Sequence, residues 1–283
     1  MKAKLVDIDI TEGTSVGCVN IDLPSEAPWH YHPTIELSYI VEGTGTYIVG
    51  DNIGTFEKGD INLLAPNLPH VWFNSSTLDA STHKSHVIVI HIQESLIKGL
   101  VECCPESAII QSLIDKSMCG LLFKKNETAL TDAIQNLLSC NNFERVANVF
   151  KILSILCNTT PHRLLAGQAY SPKSSPFDEE RMNRVYQHIR QNYQNKITLT
   201  EICKIASMAP VSFSRYFKQT TRKSFLQFLN EFRITHACQD LLYSDENIID
   251  IAFQNGFSNI ANFNRKFKSI KNMTPKQYRY KMR

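Results

Sequence analysis

The sequence predicts a multidomain chain: an N-terminal all-β barrel with flanking helices, followed by a C-terminal all-α domain. Three observations carry that prediction. Short apolar runs bounded by turn residues give way to helical spacing after residue 93, a six-residue pattern near residue 213 recurs near residue 263, and charge divides unevenly along the chain. With 283 residues, 43% of them apolar, and only 11 Gly and 11 Pro, the chain can bury a sizeable core. Disorder and a small disulfide scaffold are thereby excluded.

The barrel comes first. Apolar runs at residues 35–41, 45–49, 61–64 and 86–92 alternate with the turn signals Asn52-Ile53-Gly54 and Gly59-Asp60, the pattern of a sandwich or barrel. This defines a barrel over residues 1–92. From residue 93 to 166 the spacing becomes i, i+3, i+4, i+7, as in Ile109, Ile110, Leu113 and Ile114 and again in Val146, Val149, Phe150, Leu153 and Leu156, so a helical segment is expected. Its apolar stripe either closes the barrel or, by preference, pairs with a second copy in a homodimer. Residues 167–178 (GQAYSPKSSPFD) read as a linker because Ser-Pro pairs oppose helix. Residues 179–283 complete the chain as a helical domain.

The repeat gives that last domain its organisation. Phe213, Arg215, Phe217 and Lys218 (FSRYFK) return as Phe263, Arg265, Phe267 and Lys268 (FNRKFK), each copy preceded by an apolar helix with a small residue, Cys203 or Ala252. A small side chain lets two helices cross closely, and the short turn between them makes each copy a helix-turn-helix. In the second turn Gly256 can take the left-handed conformation and Ser258 can cap the next helix; in the first, Ser207 sits in the turn, Ala209 at the cap and Pro210 at the first helical position. Phe213 and Phe217 share one face of their helix, leaving Val211, Ser214, Arg215 and Lys218 on the other. The second copy offers Asn259, Ala261, Asn264, Arg265 and Lys268. Arg can pair with guanine or grip phosphate and Asn can read adenine. Between the copies, Phe225, Phe228, Leu229, Phe232, Ala237, Leu241 and Leu242 mark a buried stripe on one long spacer helix.

Charge agrees. Residues 1–178 hold 12 Lys+Arg against 19 Asp+Glu, a net of −7, whereas residues 179–283 hold 18 against 8, a net of +10. A basic C-terminal domain suits double-stranded DNA, and the acidic remainder repels it. These features make residues 181–283 resemble the DNA-binding domain of AraC/XylS-type transcriptional regulators, including residues 252–257 (AFQNGF), FNRKFK, and Thr274, Pro275, Tyr278 and Arg279. The resemblance implies two helix-turn-helix units per chain, both inserted in DNA. It assigns Val211, Ser214 and Arg215 as one base-facing set and Ala261, Asn264 and Arg265 as the other. A contact with RNA polymerase, as an activator makes, is a further expectation.

In the acidic part, His30, His32 and Glu36 fall at even spacing, so on one continuous strand they would share a face. Gly43 follows, and Gly59, Asn67, His70 and Asn74 form a second set. The two sets resemble the cupin motifs, with Ala65 and Asn67 replacing the usual proline and glycine of the second. The resemblance implies a small barrel holding a metal or a small-molecule effector at its mouth. Three histidines and a carboxylate suit a divalent transition metal, while cupin-like sensor domains of this regulator family resemble sugar or metabolite pockets, so no cofactor is required and an organic effector is preferred. Trp29, Tyr31, Tyr39, Tyr47 and Trp72 could stack on such a ligand. The alternative function is a metal-dependent cupin enzyme fused to a DNA-binding domain; no enzyme activity is the expectation.

No apolar run reaches the ~18 residues of a membrane span, and residues 1–11 alternate Asp with aliphatics rather than forming a signal peptide. A cytoplasmic protein without a membrane partner is expected. Eight cysteines without a C-x-x-C pair exclude a zinc ribbon, and most are expected to be small buried residues.

Overall fold

The computed structural model describes residues 14–23, 28–74, 85–124, 128–167 and 176–282. The N-terminal pattern of residues 1–11 and residues 168–175 of the expected linker lie outside the described residues. The barrel is built from β1 (Val16–Asp22), β2 (Thr34–Glu42), β3 (Thr44–Val49), β4 (Asn52–Glu57), β5 (Ile61–Leu64), β6 (His70–Asn74) and β7 (His86–Gln93). Asn52-Ile53-Gly54, expected as a turn, belongs to β4: the hairpin turns one step earlier, at Gly50 (φ 54°) and Asp51, and Asn52 pairs with Val49.

The segment from residue 93 to 166 is helical in α1 (Glu94–Cys103), α2 (Ala108–Lys116), α3 (Thr128–Asn136) and α4 (Asn142–Cys157), but it also returns two short strands to the barrel, β8 (Leu121–Phe123) and β9 (Arg163–Leu164). They extend one sheet to the order β1-β7-β2-β5-β8-β9, which faces a second sheet ordered β4-β3-β6. The apolar stripe of the helices lies on the larger sheet: Ile110, Leu113, Ile114, Val149, Ile152, Leu153 and Leu156 share one core with Ile35, Leu37, Ile90 and Ile92. That stripe is therefore spent inside the chain.

The last domain contains α5 (Pro176–Asn192), α6 (Leu199–Ile205), α7 (Pro210–Thr221), α8 (Phe225–Tyr243), α9 (Ile248–Gln254), α10 (Ile260–Lys271) and α11 (Pro275–Met282). Pro176, Phe177 and Asp178 are helical rather than linker, since proline is favourable in a first helical turn. The 19-residue α8 is about 28 Å long and separates the two helix-turn-helix units. Its N-cap Ser224 accepts from Gln227 N while the Gln227 side chain returns to Ser224 N. The domain does not hang free, because Trp29, Ile48, Ile53, Val71 and Phe73 of the barrel enter the same apolar core as Met182, Val185, Tyr186 and Ile189 of α5.

Of the cysteines, Cys203 and Cys238 are buried, whereas Cys103 is exposed and the other five are half-buried at strand and helix edges. The expectation that most are core residues is corrected accordingly.

Gly256 (φ 78°) makes the second turn left-handed, and a Cβ there would meet Tyr193 O at 2.4 Å. Gly256→Ala is expected to destabilise this domain by at least ~2 kcal/mol in urea unfolding, through both strain and a backbone clash. Beside it, Asn255 Nδ2 donates to the buried Asp240 carboxylate at 2.5 Å, and burial pushes that carboxyl up to about 6. The unfolded value is ~3.9, so the folded state binds the extra proton between the two values and stability contributed by this group rises as pH falls from 6 towards 4. Asp240→Asn should therefore stabilise the protein by ~1–3 kcal/mol at pH 8 and by little at pH 4; a gain independent of pH would contradict the assignment.

Candidate nucleic-acid interface and barrel site

Each helix-turn-helix fixes the rotation of its second helix through two phenylalanines one turn apart. Phe213 and Phe217 of α7 and Phe263 and Phe267 of α10 are all completely buried. The opposite faces are therefore turned outward. Val211 is 84% exposed, and Ser214, Arg215 and Lys218 are exposed beside it. On α10, Asn259, Ala261, Asn264, Arg265 and Lys268 are likewise exposed. Every residue expected to face DNA is thus on solvent.

The turns differ in chemistry. Ser207 adopts φ 52° and Ala209 caps α7 without a side-chain bond, as the sequence predicts. In the second unit the cap is Asn259, whose Oδ1 accepts from Asn262 N at 2.8 Å, and not Ser258. The turn is one residue longer than the Gly256 signal suggests, and Asn is as good a cap as Ser. Ser214 Oγ donates to Pro210 O at 2.8 Å, and Arg265 Nη2 donates to Asn262 Oδ1 at 3.1 Å, which holds the guanidinium along α10.

The barrel gathers a second set of residues. His30, His32, Glu36 and His70 converge, although His30 and His32 do not belong to the strand of Glu36. β2 begins at Thr34; His30 instead forms an isolated bridge to His70 on β6. His91 joins them from β7, directly opposite Glu36 in register, and was not among the expected residues. The ligand atoms of His30, His32 and His70 lie within 4.8 Å of one another, as do those of His32, Glu36 and His91. Asn67 takes the left-handed conformation (φ 61°) that its place in the second motif requires.

Protonation in this cluster is constrained by geometry. His30 Nδ1 lies 2.9 Å from Pro28 O, His32 Nδ1 3.1 Å from Thr34 O, and His70 Nδ1 2.7 Å from Leu68 O. A carbonyl only accepts, so His30 and His70 carry their hydrogens on Nδ1, whereas His32 Nδ1 also lies 2.8 Å from the Thr34 hydroxyl, which can donate to it and leave the His32 hydrogen on Nε2. At the centre, His32 Nε2 and His70 Nε2 stand 3.0 and 3.2 Å from one oxygen of Glu36. His32 Nε2 can therefore donate to Glu36, while the Nε2 lone pair of His70 faces the same carboxylate oxygen, a contact that a cation between them would favour. Burial, helped by the neighbouring His70 charge, pushes His30 down to about 3, and burial pushes His91 down to about 4. Burial alone would raise the Glu36 carboxyl, but the charge of His70 and hydrogen bonds from His32 and His70 hold it well below the usual range. An anion among imidazoles whose outer nitrogens are tied to carbonyls is a donor set that fits a divalent transition metal.

Of the aromatic residues expected to stack on an effector, Trp72 borders the cluster, its ring 5.2 Å from that of His70, and three others pack in cores. Trp29 is buried against α5, Tyr39 lies in the core beneath the middle helices, and Tyr47 and Trp72 share the core between the sheets. Tyr31 alone of the five is half-buried.

A histidine-lined barrel is joined here to two helix-turn-helix units with outward-facing second helices. Known proteins agree. The family described as a helix-turn-helix domain matches residues 202–281, and that described as a cupin domain matches residues 20–89. The Bacillus subtilis HTH-type transcriptional regulator YdeC is 30% identical over 267 residues, which is 92% of this chain and 89% of that protein. The chain belongs to the AraC-type helix-turn-helix transcriptional regulators, with a cupin domain preceding the helix-turn-helix domain. An HTH-type transcriptional regulator of Staphylococcus aureus is 38% identical over 112 residues, 40% of this chain; the chain spans only 15% of that relative's length. Among solved structures, ToxT from Vibrio cholerae overlays 94% of the chain and 98% of its own at TM-score 0.37 and 16% identity. The DNA-binding domain of AdpA in complex with a target DNA overlays 35% of the chain and 89% of its own at TM-score 0.34 and 22% identity. No helix among the described residues is long and apolar enough to cross a membrane.

Proposed function

We propose that this protein regulates transcription by seating α7 and α10 in successive major-groove segments of one duplex, and that a divalent transition metal held by the barrel modulates that binding. The observation that carries the first half is the paired outward face: exposed Arg215 and Lys218 on α7, and exposed Asn264, Arg265 and Lys268 on α10, each backed by two buried phenylalanines. Residues from 179 onward carry a net of +10, so nonspecific attraction to phosphate accompanies base reading. Arg215 and Arg265 are the direct readers with Asn264; Val211 and Ala261 offer methyl contacts to thymine, Ser214 contributes little because its hydroxyl is engaged within the helix, and Lys218, Lys268 and Asn259 grip the backbone.

The second half rests on the convergence of imidazole nitrogens on the buried Glu36 carboxylate. His30, His32, Glu36 and His70 would hold the ion with His91 beside Glu36, and bound metal supplies a fixed positive charge that draws these donors together. An organic effector has less support, since Trp29, Tyr39 and Tyr47 of the five candidate stacking residues are packed in apolar cores. The chain is read as a regulator without turnover, acting in the cytoplasm. Contact with RNA polymerase and self-association complete the reading; a second copy would meet this one where α4 and the residues before it leave Phe143 83% and Leu138 40% exposed.

Arg265→Ala should weaken binding to a selected duplex by ~1–3 kcal/mol with less effect on random DNA, whereas Lys268→Ala should weaken both alike and lower the salt slope by about one. Equal losses for Arg265→Ala on both DNAs would reduce it to a phosphate contact. Cobalt(II) titration of metal-stripped protein should show about one equivalent bound and a raised Tm, with affinity reduced at least ~10-fold in His70→Ala; protein that takes up no cobalt would contradict the metal reading.

A further inference from the structure

The strands that bring the histidines together also form the contact with the DNA-binding domain. His30 N donates to His70 O at 3.1 Å and His70 N to His30 O at 2.8 Å, so the two segments move as one pair. Side chains alternate along extended backbone, and the neighbours of these histidines therefore point the opposite way. Trp29, Val71 and Phe73 are those neighbours, and all three lie in the apolar core shared with α5.

From there, aromatic rings run without a gap to the first recognition helix. Trp29 meets Tyr186 edge-on at 5.0 Å, Tyr186 meets Phe228 of α8 at 5.3 Å, and Phe228 meets Phe217 of α7 at 5.5 Å. A second contact runs beside it, where the Arg190 guanidinium lies 5.2 Å above the Phe73 ring. Among the described residues, the apolar core of the second unit, which holds Phe263 and Phe267, contains no barrel residue; α10 faces β4 across a cleft lined by Asn52, Thr55, Lys266 and Lys271.

We propose that Trp29 and Tyr186 are positioning residues that couple the state of the histidine cluster to the seating of α7, and leave α10 unaffected. This rests on the cluster being a ligand site. The donor atoms lie within 4.8 Å of one another, and an ion held among them would fix their spacing. Any change in the spacing of His30 and His70 pulls on their bridged backbone. Trp29 is bonded to His30 and is packed at interior density, so it cannot absorb the shift alone; Tyr186 and Phe228 must repack with it. A ligand acts on DNA binding by this route only so far as it favours one packing of the seam over another.

A double-mutant cycle tests the coupling directly. Affinity of the full chain for a duplex selected from random sequence is measured for wild type, His70→Ala, Tyr186→Ala and the double variant, with and without cobalt(II) chloride. His70→Ala is expected to change affinity at least about threefold in wild type and to change nothing further once Tyr186 is gone, a non-additivity characteristic of linked sites. The matched cycle of His70→Ala with Asn264→Ala on α10 is expected to be additive. Arg190→Ala serves in place of Tyr186→Ala if that variant unfolds. Additivity within about twofold for His70 and Tyr186 under both conditions would overturn the proposal, whether or not cobalt binds. Absence of a cobalt absorption band would overturn the metal reading alone and leave the metal-free cycle to decide the coupling.

Discussion

The burial of two phenylalanines one turn apart in each recognition helix is the constraint on which the reader depends. A helix held by side chains at i and i+4 can rotate very little about its axis, because any turn would bring ring surface into water. Removing such a ring costs on the order of 3–5 kcal/mol. Phe213 and Phe217 on one side of the domain, and Phe263 and Phe267 on the other, therefore decide which residues of α7 and α10 reach solvent. The arginines are displayed because the phenylalanines are not. The capped, 19-residue α8 sets the distance between the two displays.

The barrel obeys a different constraint, one of protons rather than packing. His30 and His70 have their Nδ1 hydrogens fixed by the carbonyls of Pro28 and Leu68, whereas His32, whose Nδ1 the Thr34 hydroxyl can serve, can donate to Glu36. The centre is a buried carboxylate ringed by imidazoles. His30 and His70 are bridged, and the neighbours of both pack against α5, which gives the barrel and the DNA-binding domain a common mechanical element.

Much of this was legible in the sequence. The duplication of FSRYFK as FNRKFK marks both recognition helices, because the phenylalanine spacing and the arginine position are local properties that survive folding unchanged. The even spacing of His30, His32 and Glu36 also points to the right cluster, although a bend before Thr34 separates the first two from the strand. His91 escaped because β7 is buried on both faces, so alternation along residues 86–93 cannot say which side a histidine takes. β8 and β9, of three and two residues, are too short to show a period. Trp29 read as a ligand platform; that it meets Tyr186, far along the chain, is a tertiary fact that no local pattern encodes. Ser258 was read as the cap for a similar reason: adjacent Ser and Asn are equal candidates until the helix register is known.

The central claim is that one chain reads two segments of one duplex with two exposed helices. Methylation protection of a selected duplex by the full-length protein measures this most directly. The account predicts two protected major-groove patches on one face of the DNA, about one helical turn or ~34 Å apart, per bound chain. One patch per chain, or protection confined to the minor groove, would contradict it.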